Sequence, residues 1–143
     1  MKKLPATLLL FVLLLSTVAV AVSCSNAESS TNTPEGTVNI MLDAMEDMNV
    51  SKMMECMDVS VSSEERDQIE GLFEMMKEMG MRFSITNRNI EVMTQTENTA
   101  TVSVQCDLTA SLMGQTQTQS MDENFELVKV DGKWLLTGFP EDF

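Results

Sequence analysis

The chain has no histidine and no tyrosine, and only one tryptophan, three cysteines and three prolines. Histidine is the side chain whose ordinary pKa suits proton exchange near neutral pH, and tyrosine is a frequent partner in acid–base sites. Neither can be supplied here. No glycine-rich phosphate loop, zinc-ligand spacing or nucleophile elbow occurs either. Bases are few: nine Lys and Arg stand against 22 Asp and Glu, for a formal net charge of −13. Such a surface repels phosphate backbones and anionic headgroups, so nucleic acid is excluded as an expected partner. What the chain has in quantity is methionine, 14 copies against six Phe. The expectation is that thioethers fill core positions that aromatics and leucine would otherwise take.

The first 23 residues read as a lipoprotein signal peptide. Lys2 and Lys3 form a basic start, Leu8 to Leu15 (LLLFVLLL) opens an apolar core that continues to Val22, and Ser23 is a small residue before Cys24. Ala21-Val22-Ser23-Cys24 resembles the lipobox of prokaryotic lipoproteins, departing from it at Ala21, where leucine is usual. The resemblance implies lipidation of Cys24, cleavage before it, and a cell-envelope, extracytoplasmic address with a lipid anchor in the membrane. An uncleaved apolar anchor is the alternative. Loss of Lys2 and Lys3 would leave the mature chain still more acidic. Residues 24–33, mostly SNAESSTNT, are small and polar and read as a flexible tether. Residues 34–143 are long enough for one independent core.

Within that domain Thr33 offers a helix cap and Pro34 a first helical residue. Val38, Met41, Leu42, Met45 and Met48 recur at helical spacing, predicting a first helix to about Asn49. Ser51 is the expected cap of a short second helix to Met57. Ser62 and Glu65 form a capping box for a third, with Ile69, Leu72, Phe73, Met76 and Met79 on one face and Gly80 as its stop. After Gly80 the period becomes two. A strand holding Phe83, Ile85, Ile90 and Val92 slips phase at Asn87-Arg88-Asn89, which predicts a bulge. Ala100, Val102, Val104, Cys106 and Leu108 alternate with polar residues, so one face of that strand is buried and the other wet. A turn at Gly114 and a polar run from Gln115 to Ser120 precede strands at Met121 to Val130 and Lys133 to Phe139. Asp131-Gly132 between them is a tight-hairpin signal. Helices followed by an antiparallel meander imply an α+β fold, with N-terminal helices on one face of a curved four-stranded antiparallel sheet.

On these residues the chain resembles the nuclear transport factor 2-like superfamily, and small prokaryotic lipoproteins within it. The resemblance rests on Pro34-Glu35-Gly36-Thr37-Val38, on Ala100-Thr101-Val102-Ser103-Val104, and above all on Leu127-Val128-Lys129-Val130-Asp131-Gly132-Lys133-Trp134. It implies a cone-shaped domain in which the sheet wraps the helices, with Trp134 as a core anchor. Enzymatic members use an Asp base in the conical pocket, often with Tyr or His partners, which this chain lacks. Asp107 is in phase with polar strand residues and Asp43 lies on the polar side of its helix, so both are expected in solvent. A non-enzymatic domain is therefore expected, with no cofactor.

The leading expectation is binding of a small apolar ligand or of another envelope protein, with a homodimer through the exposed sheet face as a further possibility. The competing class is a soft-metal protein: Met53, Cys56, Met57, Met76 and Met79 are thioether and thiol ligands suited to copper(I). The alternative for them is core packing, which explains Met75 and Met81 least well. An enzyme acting in the conical pocket comes third. Outside the cytoplasm Cys56 and Cys106 could form a disulfide or remain two buried thiols. The Gln115 to Ser120 run could be a glycan-facing edge or a solvated strand end.

Overall fold

Local chemistry starts each helix in the computed structural model, which describes residues 30–138. The signal-peptide and Cys24 expectations, most of the tether, and residues 139–143 lie outside the described residues. Helix α1 spans Pro34–Glu46, with the Thr33 hydroxyl accepting the Gly36 amide at 3.1 Å and Pro34 in the first turn. It stops earlier than the apolar spacing predicts because Met48 adopts a left-handed φ of 52° and turns the chain. Asn49, not Ser51, then caps α2 (Val50–Glu55), its side-chain oxygen accepting the Lys52 amide at 3.1 Å. The predicted capping box of Ser62 and Glu65 is present at the start of α3 (Ser63–Glu78). Gly80, at φ 79°, releases the chain into the sheet.

The sheet is an antiparallel meander of β1 (Arg82–Gln95), β2 (Thr99–Leu112), β3 (Gln115–Val130) and β4 (Lys133–Leu136), in sequence order. The bulge falls where the phase slips, between Thr86 and Asn89, and a second shift lies between Val92 and Thr94. Asp131-Gly132 takes φ values of 50° and 82°, and Met113-Gly114 nearly the same pair, 51° and 81°. Two successive left-handed residues make the tight turn whose twist matches a hairpin. The second turn is so short that Gln115 to Ser120 pairs fully with Asp107 to Leu112. That run is thus the solvated first part of one long strand, as its strand-end reading expects.

The inner face of the sheet carries Val102, Val104, Phe125 and Leu127, against Val38, Met41 and Leu42 of α1 and Val50 and Met53 of α2. Each such side chain stabilises the fold by about 1.5–3 kcal/mol when fully buried. Trp134 is the largest fully enclosed side chain, as its anchor role requires. The outer edge of β4 is closed by backbone: Trp134 N–H donates to the Thr31 carbonyl at 2.8 Å, Leu136 N–H to Cys56 at 2.7 Å, and Asp58 N–H to Leu136 at 2.8 Å. Buried Thr37 adds a hydroxyl donated to the Trp134 carbonyl at 2.8 Å. The edge therefore offers no free ladder for another strand along this stretch.

Candidate functional site

Helix α3 has the same kind of apolar periodicity as α1, yet none of its residues is buried. The difference is placement. Helix α1 lies across the sheet, whereas α3 meets the rest of the domain mainly through α2. Ile69 and Phe73 reach the margin of the core. Leu72, Met75 and Met79 do not, and remain 47%, 50% and 44% exposed. Spaced three and four apart, these three form one strip along the helix. The single face expected for Ile69, Leu72, Phe73, Met76 and Met79 is therefore split: Ile69 and Phe73 turn inward, while Leu72 and Met79 turn outward with Met75, which this strip accounts for.

Two clefts flank the helix. One, of about 590 Å³, lies between Ile69 and Leu72 on α3 and Ser60 and Val61 in the preceding loop, with Glu65 at its rim. The other, of about 250 Å³, lies between Phe73 and the start of α2, rimmed by Glu70, Glu74 and Lys77. Val59, two residues before Val61 in the same loop, is also exposed. The charges are largely of one sign. Glu64, Glu65, Asp67, Glu70, Glu74 and Glu78 share the helix with only Arg66 and Lys77. Lys77 is engaged with Glu74 at 3.0 Å, and Glu70 accepts from the Ser51 hydroxyl at 3.0 Å.

The proposed soft-metal residues are divided between inside and outside. Met53 and Cys56 are buried in the core, and Met57 is half-buried where the chain bridges to Leu136. Met76 and Met79 stand on α3, half-buried and exposed respectively. Burial, reinforced by the neighbouring Glu55 charge, pushes the Cys56 thiol up to about 11, so at neutral pH it is protonated rather than the thiolate that binds soft cations. Cys56 and Cys106 are free thiols in this structure and belong to one core cluster. Desolvation also raises Cys106, opposed in part by the nearby Arg88 charge.

The carboxylates have other work. Asp107 lies on the polar outer face, accepting from Asn87 and Ser120, each at 2.7 Å. These bonds, the Asn87 one foremost, hold its carboxyl below the usual range. Asp43 and Glu46 of α1 both receive Arg88 from the bulge, Asp43 at 2.6 Å, and Glu46 also accepts the Ile85 amide at 2.6 Å. The bulge thus aims an arginine across the inner face and ties β1 to α1, a link between residues more than 40 positions apart that no local pattern announces. Glu123 is the carboxylate that sequence reasoning passed over. It pairs with Val104 and so shares the inner face, half-buried; its phase with Met121, Phe125 and Leu127 was the available signal.

No protein-family profile matches the chain, and no curated protein is similar to it. Solved structures are similar in fold. A ketosteroid isomerase-like protein from Erwinia carotovora atroseptica superposes with a TM-score of 0.56 at 17% identity, covering 79% of this chain and 93% of that one. A SEC-C motif containing protein from Rhodopseudomonas palustris superposes with a TM-score of 0.53 at 17% identity, covering 76% and 78%. At such identities the likeness establishes the fold alone, and that fold is nuclear transport factor 2-like α+β.

Proposed function

We propose that this nuclear transport factor 2-like domain is a non-enzymatic binding module, tethered outside the cytoplasm through lipidated Cys24, that docks another envelope protein on the exposed face of α3. The observation that carries the reading is the strip of Leu72, Met75 and Met79, about half exposed on a helix with no buried residue. An apolar strip beside two open clefts suits a protein partner, whereas a small apolar ligand would need an enclosed site. The side chains that could have lined a hollow cone are packed together instead: Met41, Leu42, Phe125 and Leu127 are each at most 2% exposed. The tether rests on the sequence from Lys2 to Cys24, and the non-enzymatic reading on the missing His and Tyr and on Asp43, Glu46 and Asp107 being engaged in structural contacts.

The test is site-specific photo-crosslinking in intact cells. A photoreactive residue at Leu72 or Met79 is expected to form an adduct with a defined envelope protein, and one at Ser103 on the outer sheet face is not. Equal adducts from all three positions, or none from the helix, would sink the docking face. Cys24→Ser should abolish lipid labelling; an unchanged product would end the lipoprotein reading.

Copper(I) binding is the second reading, favoured by the exposed thioethers of Met75 and Met79 one helical turn apart. Replacing both by leucine separates the two. It keeps the apolar strip for a protein partner but removes the metal ligands.

A further inference from the structure

The charge around α3 narrows the partner. The strip from Leu72 to Met79 is about 10 Å long at the helical rise, which matches two turns of an opposing helix. Acidic groups lie beyond both ends: Glu64 and Glu65 about two turns before Leu72, Glu65 accepting from Ser62 in the capping box, and Glu78 beside Met79. Of the two bases on the helix, Lys77 is taken by Glu74. Methionine side chains lack branching and adapt to varied apolar surfaces, so the strip does not demand one partner shape.

A second copy would bring the same carboxylates face to face, and like charges across a contact weaken it. An anionic bilayer is repelled by the same charges. A cationic amphipathic helix satisfies both features: its apolar face covers Leu72, Met75 and Met79, and its flanking lysines or arginines meet Glu64 and Glu78.

From this geometry we infer that the α3 face receives a cationic amphipathic helical segment of a partner protein, held by an apolar seam with acidic groups beyond its ends. The inference rests on the docking function proposed above and specifies the partner's chemistry. Charge sets the approach and orientation of the segment, and the apolar seam sets how long it stays.

A peptide panel on the full chain, purified in detergent, tests it. The probes are labelled leucine–lysine and leucine–glutamate amphipathic peptides of about 18 residues, and a scrambled leucine–lysine peptide with no apolar face. Fluorescence anisotropy reports binding, and Trp134 emission confirms that each variant is folded. The amphipathic leucine–lysine peptide should bind at least about tenfold more tightly than either other peptide, and weaken several-fold as salt rises from about 0.05 to about 0.5 M. Leu72→Ser with Met79→Ser should weaken it about tenfold or more, and Glu64→Gln with Glu78→Gln a few-fold.

Equal binding of the scrambled peptide would overturn the inference, because acidity alone would then account for the interaction. Binding unchanged in Leu72→Ser with Met79→Ser would place the peptide elsewhere and overturn it too. Preferred Leu72-dependent binding of the leucine–glutamate peptide would refute the cationic assignment while leaving the docking face standing. Sedimentation showing a dimer abolished by Leu72→Ser would replace the partner with a second copy. If no peptide binds while Leu72 still crosslinks in cells, the partner chemistry fails and the docking function survives.

Discussion

Two leucines on two amphipathic helices should differ sharply in what they contribute to stability. Leu42 on α1 is fully enclosed, while Leu72 on α3 is 47% exposed. Truncating each to alanine removes the same atoms and changes helix propensity equally. At Leu42 the loss includes the transfer energy and the cavity left behind, about 3–5 kcal/mol. At Leu72 only about half of a leucine's burial energy is present, and water can enter the space, so the loss is about 1 kcal/mol or less. The expected gap of about 2–4 kcal/mol corresponds to about 10–20 °C in Tm for a domain of this size. Urea unfolding followed by Trp134 fluorescence measures it directly, because Trp134 is the only tryptophan and is almost fully buried. A Leu72→Ala variant as damaged as Leu42→Ala at every protein concentration would mean that the α3 face is already covered within one chain, and the docking argument would fail. A loss that grows with protein concentration would point to self-association.

Other perturbations test the frame around that face. Gly36→Ala should lower Tm despite the better helix propensity of alanine, because the new Cβ would stand 2.0 Å from the Ser30 carbonyl oxygen; a higher Tm would refute this close approach. Arg88→Met should cost about 1–3 kcal/mol by leaving Asp43 and Glu46 without their cation, and a double-mutant cycle with Glu46→Gln should show the coupling; additive losses would mean the tie between bulge and helix contributes nothing. The Cys56 thiol is raised from 9.0 to about 11, so its burial stabilises the fold fully below about pH 9 and that contribution is lost as pH rises towards 11. Cys56→Ala should flatten the alkaline fall in urea midpoint, and alkylation of native Cys56 near pH 8 should be slow; rapid labelling of the folded protein would contradict its burial. The Asp107 carboxyl is held below its usual range, so its contribution is present above the unfolded-state pKa and is lost as pH falls through the folded one. Asn87→Ala should raise the Asp107 pKa in an NMR titration, and an unchanged value would exclude the Asn87 bond as the principal cause.

The local signals in the sequence were sufficient for most of the fold. Thr33-Pro34 and Ser62 with Glu65 mark helix starts through groups within one turn of each other, and Asp131-Gly132 marks a hairpin through the backbone angles those residues accept. The Ala100 to Cys106 alternation gives the buried face of β2 because a strand turns every second side chain the same way. Boundaries were less legible. Met48 in a left-handed conformation ends α1 early, and nothing in a methionine announces that geometry. The polar run from Gln115 was legible as a solvated strand end, but its full length was not: every residue from Gln115 to Ser120 is exposed, so its pairing imposes no apolar alternation.

Taken alone, then, the sequence determined which residues could be helix, strand and turn, and that three helices each carry an apolar side. Those properties follow from capping, backbone angle and period, all confined to neighbours along the chain. Which apolar side is covered was decided only by tertiary structure. Periodicity shows that a face is apolar and is silent about what meets it: α1 lies on the sheet with Leu42 enclosed, while α3 stands aside with Leu72, Met75 and Met79 in solvent. The same holds for Arg88, whose partners lie more than 40 positions away, and for Trp134, whose strand edge is closed by Thr31, Thr37 and the Cys56 turn. These contacts join segments remote in sequence, and it is their arrangement that leaves one helix face open.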